Sequence, residues 1–265
     1  MKAPPTQWAI KTGRAAAVVS DPMRFTVLES VGSGVHRHHL RGSHYLALVR
    51  HGTRDVDVLR EIFASGAVGR CYEPPPALLR LFQRAEPLRV LDVGGNIGLF
   101  GLYVLSRWQV ERLVSVEPDP NNVRLLRHTI GINRLENHWQ LVEAAAGTAD
   151  GHAPFSAGLF ADSHLGVNGD SAITVDVTDL FSLDHAVDLL KIDIEGGEWP
   201  VLLDDRLPTL GARVIVLEWH GQRCPEPAPR DTAVRRLRAA GYTSFDDGPY
   251  DPHADVGVLW AWRMQ

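Results

Sequence analysis

Lysine and cysteine are the residues this chain uses least. Its two cysteines, Cys71 and Cys224, are too few and too far apart for a disulfide framework or a cysteine-built metal site. Lysine stands only at Lys2, Lys11 and Lys191, so arginine carries nearly all the positive charge. No apolar run approaches the ~20 residues needed to span a bilayer, and the first residues lack the apolar core of a signal peptide. A cytoplasmic protein without a membrane partner is therefore expected. A net charge of −5 over 265 residues removes the footprint of a general nucleic-acid surface. Internal repeats are absent. The composition, 45% hydrophobic, has ample apolar content for a core and suits one α/β domain with an extension or a small second domain.

The chain is organised around Val90-Leu91-Asp92-Val93-Gly94-Gly95-Asn96-Ile97-Gly98. An apolar run ends in a carboxylate, passes a glycine-rich turn and continues as a helix-compatible segment, which reads as strand, tight loop, helix. Glycines let the backbone approach a ligand, and the first turn of the helix offers unpaired N–H groups. Such a turn by itself fits a purely structural role equally well. A second apolar run, Val114-Ser115-Val116, ends in Glu117-Pro118, roughly 20 residues on, where ribose-binding acids sit in nucleotide folds. Dinucleotide sites want G-x-G-x-x-G, and from Gly94 this chain has Asn96 and Leu99 at the later glycine positions. Asp92 beside the turn would repel a diphosphate and attract an ammonium group. An adenosine cofactor without phosphates fits these residues best.

The blocks Asp92–Gly98, Glu117-Pro118-Asp119-Pro120-Asn121-Asn122 and Leu190-Lys191-Ile192-Asp193-Ile194-Glu195-Gly196-Gly197-Glu198 resemble, in order, the three signature blocks of the FkbM-type methyltransferases. Weaker similarity runs from about Tyr45 to the C-terminus. The resemblance implies a class I, Rossmann-like fold: a doubly wound, mostly parallel seven-stranded α/β sheet closed by a C-terminal hairpin. It also implies S-adenosyl-L-methionine as cofactor. The expected cofactor-binding residues are Asp92, Gly94, Gly95, Asn96, Gly98, Glu117, Pro118, Ala144 and Asp193.

Residues 1–85 precede the first core strand and are expected to form a small cap on the cofactor or substrate side, with 86–265 as the methyltransferase core. Met1–Pro22 shows no period. Phe25–Leu28 and Tyr45–Val49 read as strands, Asp55–Phe63 as a helix with Thr53 as N-cap, and Pro76–Arg84 as another. The cap holds His36, His38, His39, His44 and His51, but their spacing matches no familiar zinc pattern. A solvated loop, or a wall of an acidic-substrate pocket with Arg37, Arg41 and Arg50, fits better.

From Leu88, strands and helices alternate as in a doubly wound sheet. Strands Arg89–Val93, Arg112–Val116 and Trp139–Ala144 are joined by helices Ile97–Trp108 and Pro120–Ile132, the latter capped by Asp119. Residues 146–169 are hard to read beyond a hairpin, before a short strand Ile173–Val177. The fourth and fifth principal strands, Val187–Asp193 and Val214–His220, end in polar residues that are costly to bury without partner or function. A helix Glu198–Leu203 lies between them. Helix Ala233–Ala240, capped by Asp231 or Thr232, leads to strands Tyr242–Phe245 and Val256–Trp262 joined through Asp247-Gly248-Pro249.

Lys191, Asp193 and Glu195 share a direction if the fourth strand stays extended, and His220 shares one with Glu218. A Lys191–Asp193 ion pair of purely architectural value is the alternative. The expected reaction is O-methylation of a small molecule, and a hydroxyl on a natural product or sugar is the substrate class that the resemblance implies. His220 is the first candidate base, with Asp193 or Glu195 as alternatives. No complete metal-ligand set is legible, and no metal is expected. The rival readings are an NAD-dependent oxidoreductase and a methyltransferase-like protein that binds without catalysing.

Overall fold

The computed structural model describes residues 5–64, 71–83, 86–156, 164–165, 172–183 and 187–263. Helices α1 (Pro5–Ala16) and α2 (Pro22–Val31) lead into a hairpin of β1 (Val35–His39) and β2 (Leu46–Arg50), then α3 (Asp55–Phe63) and α4 (Pro76–Phe82). The alternating core follows as β3 (Leu88–Val93), α5 (Leu99–Leu105), β4 (Val110–Val116), α6 (Pro120–Ile132) and β5 (Trp139–Val142). A four-stranded side sheet comes next, from β6 (Ala145–Gly147), β7 (Gly151–Ser156), β8 (His164–Leu165) and β9 (Ala172–Asp179). The chain finishes with β10 (Leu189–Ile192), α7 (Glu198–Leu203), β11 (Val214–His220), α8 (Pro229–Ala239), β12 (Ser244–Asp251) and β13 (Val256–Trp262).

The main sheet has seven strands in the order β12-β13-β11-β10-β3-β4-β5. The five inner and right-hand strands from β11 to β5 run parallel, and β13 is antiparallel to both its neighbours. Strand order reverses between β3 and β10, and the crevice at that switch point is where ligands bind in open α/β sheets. Period-two alternation sends Leu88, Val90, Val214 and Val216 into one core layer and Leu91, Val93, Ile215 and Leu217 into the other.

The first of those layers extends without a break from Ala15, Phe25, Leu40 and Leu59 to Val104 and Trp260, so the N-terminal elements share a core with the sheet. Polar clamps add to it. Asn133 on the α6 side accepts from the Leu46 amide and donates to the Leu46 carbonyl, both at 2.8 Å. Arg50 forks onto Asp55 at 2.7 and 2.9 Å and reaches Asn122 at 2.7 Å.

Several local expectations are corrected. Phe25–Leu28 lies in a helix, because Asp21 caps it through the Arg24 amide, Pro22 starts it and Gly32 (φ 66°) ends it; these end signals outweigh a short β-prone run. Met1–Pro22 contains α1, where alanine favours helix despite the weak period. Helix α8 begins at Pro229, leaving Thr232 inside it. Strand β12 runs through Asp247-Gly248-Pro249 with a bulge, so the hairpin turns after Asp251 instead. Helix α4 is described to Phe82; Arg84 lies outside the described residues, as do parts of 146–169.

Candidate active site

Three polar side chains sit side by side across adjacent strands, since Lys191 pairs in register with Asp92, and Asp92 with Ser115. Trp139 donates to the Ser115 hydroxyl at 2.9 Å, and that hydroxyl donates to Oδ2 of Asp92 at 3.0 Å. The Lys191 ammonium donates to the Gly94 carbonyl at 2.7 Å and lies 3.3 Å from Oδ1 of Asp92 and 3.4 Å from Oδ2 of Asp193. Burial lowers the pKa of Lys191, but the charges of Asp92, Asp193 and Glu218 outweigh it and hold the ammonium charged. Lys191 is thus a clamp on the glycine turn. Asp92 is fully buried in this row.

The turn itself is shaped by its packing. Gly94 has φ 86°, and a Cβ there would collide with the carbonyl oxygen of Asp193. Gly98, at φ 90°, starts α5 beneath Leu126 and Trp139. Glu117 ends β4 and holds the turn from the other side, accepting from the Asn96 amide at 2.8 Å, the Asp119 amide at 2.9 Å and the Asn122 side chain at 3.3 Å. Burial outweighs those bonds and pushes Glu117 up to about 7. Pro118 follows it half-buried, and Ala144 lies buried just beyond β5. Gly94, Gly95 and Asn96 line the cleft together with Lys191, Asp193, Glu195 and Glu218. The buried Oδ1 of Asn96 has no partner, an acceptor that suits a hydroxyl or amine donor of an adenosine cofactor.

Opposite the turn, the cleft is walled by α3 and by Cys71 and Tyr72. Residues 35–51 of the expected cap do not line this cleft. The histidines lie apart from it, with His38 and His51 buried as a pair. Their Nε2 atoms are 2.9 Å apart, and Nδ1 of His51 is 3.0 Å from Glu29, an acid brought in from α2. Arg50 is already spent on Asp55. The hairpin therefore walls no part of this cleft.

At the carboxyl ends of β10 and β11, Tyr72 lies 2.9 Å from Oδ2 of Asp193 and 2.9 Å from Oε2 of Glu218. A phenol has one proton to donate, so one of the two contacts calls for a protonated carboxyl. Burial, and then the charge of Asp193, push Glu218 up to about 8, which makes it the group that carries that proton at neutral pH. His220 is enclosed differently. Its Nδ1 lies 3.1 Å from Oε1 of the fully buried Glu198, and its Nε2 lies 3.2 Å from Oε2 of Glu195. Burial lowers its pKa, but these two carboxylates outweigh that and push it up to about 11. An imidazolium cannot accept a proton, so in this paired state His220 is not poised as a base.

Sequence reasoning missed Tyr72, a lone tyrosine in a proline-rich connector, for which no local signal exists. It also missed Glu198, whose place in the first turn of α7 gave no hint that it accepts from the amides of Gly196 and His220.

Comparison with known proteins settles the lineage. A family model described as the methyltransferase FkbM domain matches residues 92–244, more than half of the chain. The chain belongs to the FkbM methyltransferase family. S-adenosylmethionine is accordingly its cofactor, and the oxidoreductase reading is set aside. The crystal structure of methyltransferase FkbM from Methylobacillus flagellatus KT superposes with a TM-score of 0.50 at 15% identity, over 97% of this chain and 59% of that one. M. jannaschii TYW2 in complex with AdoMet gives a TM-score of 0.44 at 14% identity over 88% of each chain. In sequence, the AMB antimetabolite synthetase AmbE of Pseudomonas aeruginosa is 30% identical in an alignment that covers 56% of this chain and 9% of the synthetase. No helix among the described residues is long and apolar enough to cross a membrane.

Proposed function

We propose that the chain transfers a methyl group to a hydroxyl of a small acceptor, of natural-product or sugar type, with Glu218 as the proton acceptor. The observation that carries this reading is the Glu218 carboxyl beside Tyr72 and Asp193, in the cleft lined by the glycine turn, which becomes a proton acceptor as pH rises through about 8. A sulfonium cofactor supplies an already activated methyl, so the protein's tasks are alignment and removal of the acceptor's proton. An amine acceptor can lose its proton after transfer; an alcohol gains most from a base in place.

In this reading Glu117 accepts from the ribose hydroxyls, and Gly94, Gly95 and Asn96 lie along the methionine part, with Gly98 holding the turn from the start of α5. Pro118 and Ala144 flank the adenine side at the ends of β4 and β5. Asp193, with Oδ2 already engaged by Tyr72 and Lys191, presents its carboxylate to the ammonium in place of Asp92. Glu61, Asp193, Glu195 and Glu218 line one cleft with Arg54 and Lys191, an excess of acids that speaks for a neutral or cationic small molecule over a nucleic acid. The likeness to part of an antimetabolite synthetase is in keeping with a natural-product acceptor.

The test is turnover of methyl-labelled cofactor with a panel of alcohols, phenols, amines and transfer RNA. Label in an alkali-stable ether supports the reading. Label in RNA or amines overturns the acceptor class, and cofactor binding without any turnover favours the non-catalytic alternative.

A further inference from the structure

We infer that Asp193, Glu195 and His220 form a binding site for one divalent cation of Mn2+ type. The three residues each bring one ligand atom within 4.8 Å of the others, the only such group among the described residues. The sequence showed no complete ligand set, because the loop after β10 must fold back before Glu195 meets the end of β11.

The histidine argues for a metal independently of the acids. Glu198, fully buried, fixes His220 twice, through the backbone amide at 2.7 Å and through Nδ1 at 3.1 Å. The ring is thereby oriented with Nε2 directed at Oε2 of Glu195, 3.2 Å away. A carboxylate behind one ring nitrogen, with the other aimed at further oxygen ligands, is the arrangement that orients metal-bound histidines. Asp193 completes the set from the neighbouring strand end: its described bonds, from Tyr72 and to Lys191, both fall on Oδ2. Four acidic side chains, Asp193, Glu195, Glu198 and Glu218, surround the spot, and Lys191 beside Asp193 is shared with Asp92 and the Gly94 carbonyl. Two carboxylates and one imidazole suit a cation between the oxygen-seeking and nitrogen-seeking extremes, and Mn2+ is the fitting probe. Binding requires the imidazole in its neutral form, so Mn2+ takes the place of the Nε2 proton, which leaves to solvent.

Resting on the hydroxyl-methylation reading, the site also has a use. A cation there polarises the acceptor O–H; the proton passes to Glu218, the new O–C bond forms and the S–C bond breaks. The binding itself does not depend on that reading.

The experiment uses the full chain, treated with EDTA and desalted, titrated with Mn2+ and followed by electron paramagnetic resonance and calorimetry. One bound Mn2+ per chain is expected, with at least tenfold weaker binding in Glu195→Gln and His220→Gln. S-adenosylhomocysteine binding within twofold of wild type verifies that these variants are folded. Wild-type protein that leaves 1 mM Mn2+ free overturns the site, as does binding that both folded variants retain. Mn2+ bound without hydroxyl methylation keeps the metal site and removes the acceptor reading; ether formation in EDTA with no Mn2+ bound does the reverse.

Discussion

Glu117 and Glu218 show how one residue type takes two roles from its surroundings. Glu117 meets amide donors on both oxygens and anchors the turn, whereas Glu218 meets a phenol and other acids. Glu117→Ala should weaken S-adenosylhomocysteine binding by about 1.5–3 kcal/mol, the scale of hydrogen bonds to a charged group, as read by calorimetry. Unchanged affinity in a folded variant would remove it from the ribose site. Glu218→Gln should lower kcat roughly 100-fold or more with little change in cofactor affinity. Because the base must be deprotonated, the wild-type rate should climb as pH rises through about 8 and level off above it. A flat profile from pH 6 to 9 would exclude Glu218. Glu117 was legible as a candidate from its place after a strand, since that relation is local. The proton carrier was not, because its pKa depends on Asp193 and Tyr72, residues far from it in sequence.

Among elements, those with strong end signals or long apolar runs were readable from sequence: α6 with its Asp119 cap, β11 with seven largely buried residues, and α3 with its helical spacing. Phe25–Leu28 was misread since side-chain preference suggested a strand while the cap and proline decided for helix. That helix carries Glu29 to the buried His51–His38 pair, an encounter between three elements that no spacing rule announces. Burial, and then the charge of His51, lower His38 to about 4. A depressed pKa contributes stability that is present above the ordinary value of 6.5 and lost as pH falls through 4. His38→Gln should therefore flatten the drop in melting temperature between pH 6.5 and 4, while lowering stability at neutral pH through the lost partner of His51. A calorimetric pH series on both proteins checks this; parallel curves would contradict it.

At the scale of the whole molecule, the carboxyl edge of the sheet collects protons that the unfolded chain would not hold. Glu117, Glu218 and His220 all have folded pKa values above their ordinary ones, about 7, 8 and 11 against 4.5, 4.5 and 6.5. Their stabilising protons are fully present at low pH and are lost as pH climbs through those folded values. Melting temperature without cofactor should thus fall steadily from pH 6.5 to 9, and a level or rising curve would show these groups to be otherwise paired. The continuous core from Phe25 to Trp260 bears on the N-terminal segment as well. Deleting residues 35–51 removes Leu40, Ala47 and Val49 from it and should unfold the protein, with loss of cooperative melting and of cofactor binding together.

One ammonium touches both halves of the reaction. In the proposed arrangement Lys191 grips the carbonyl of the turn assigned to the methyl donor and, through Asp193, the acids assigned to the acceptor side. Donor and acceptor sites are therefore wired in series through a single charge, and a shift on either side is felt on the other as a change in how tightly that charge is shared. Saturating one ligand should alter the affinity for its partner, with equal factors in both directions. Order of addition then becomes a property of the sheet and not only of the cleft.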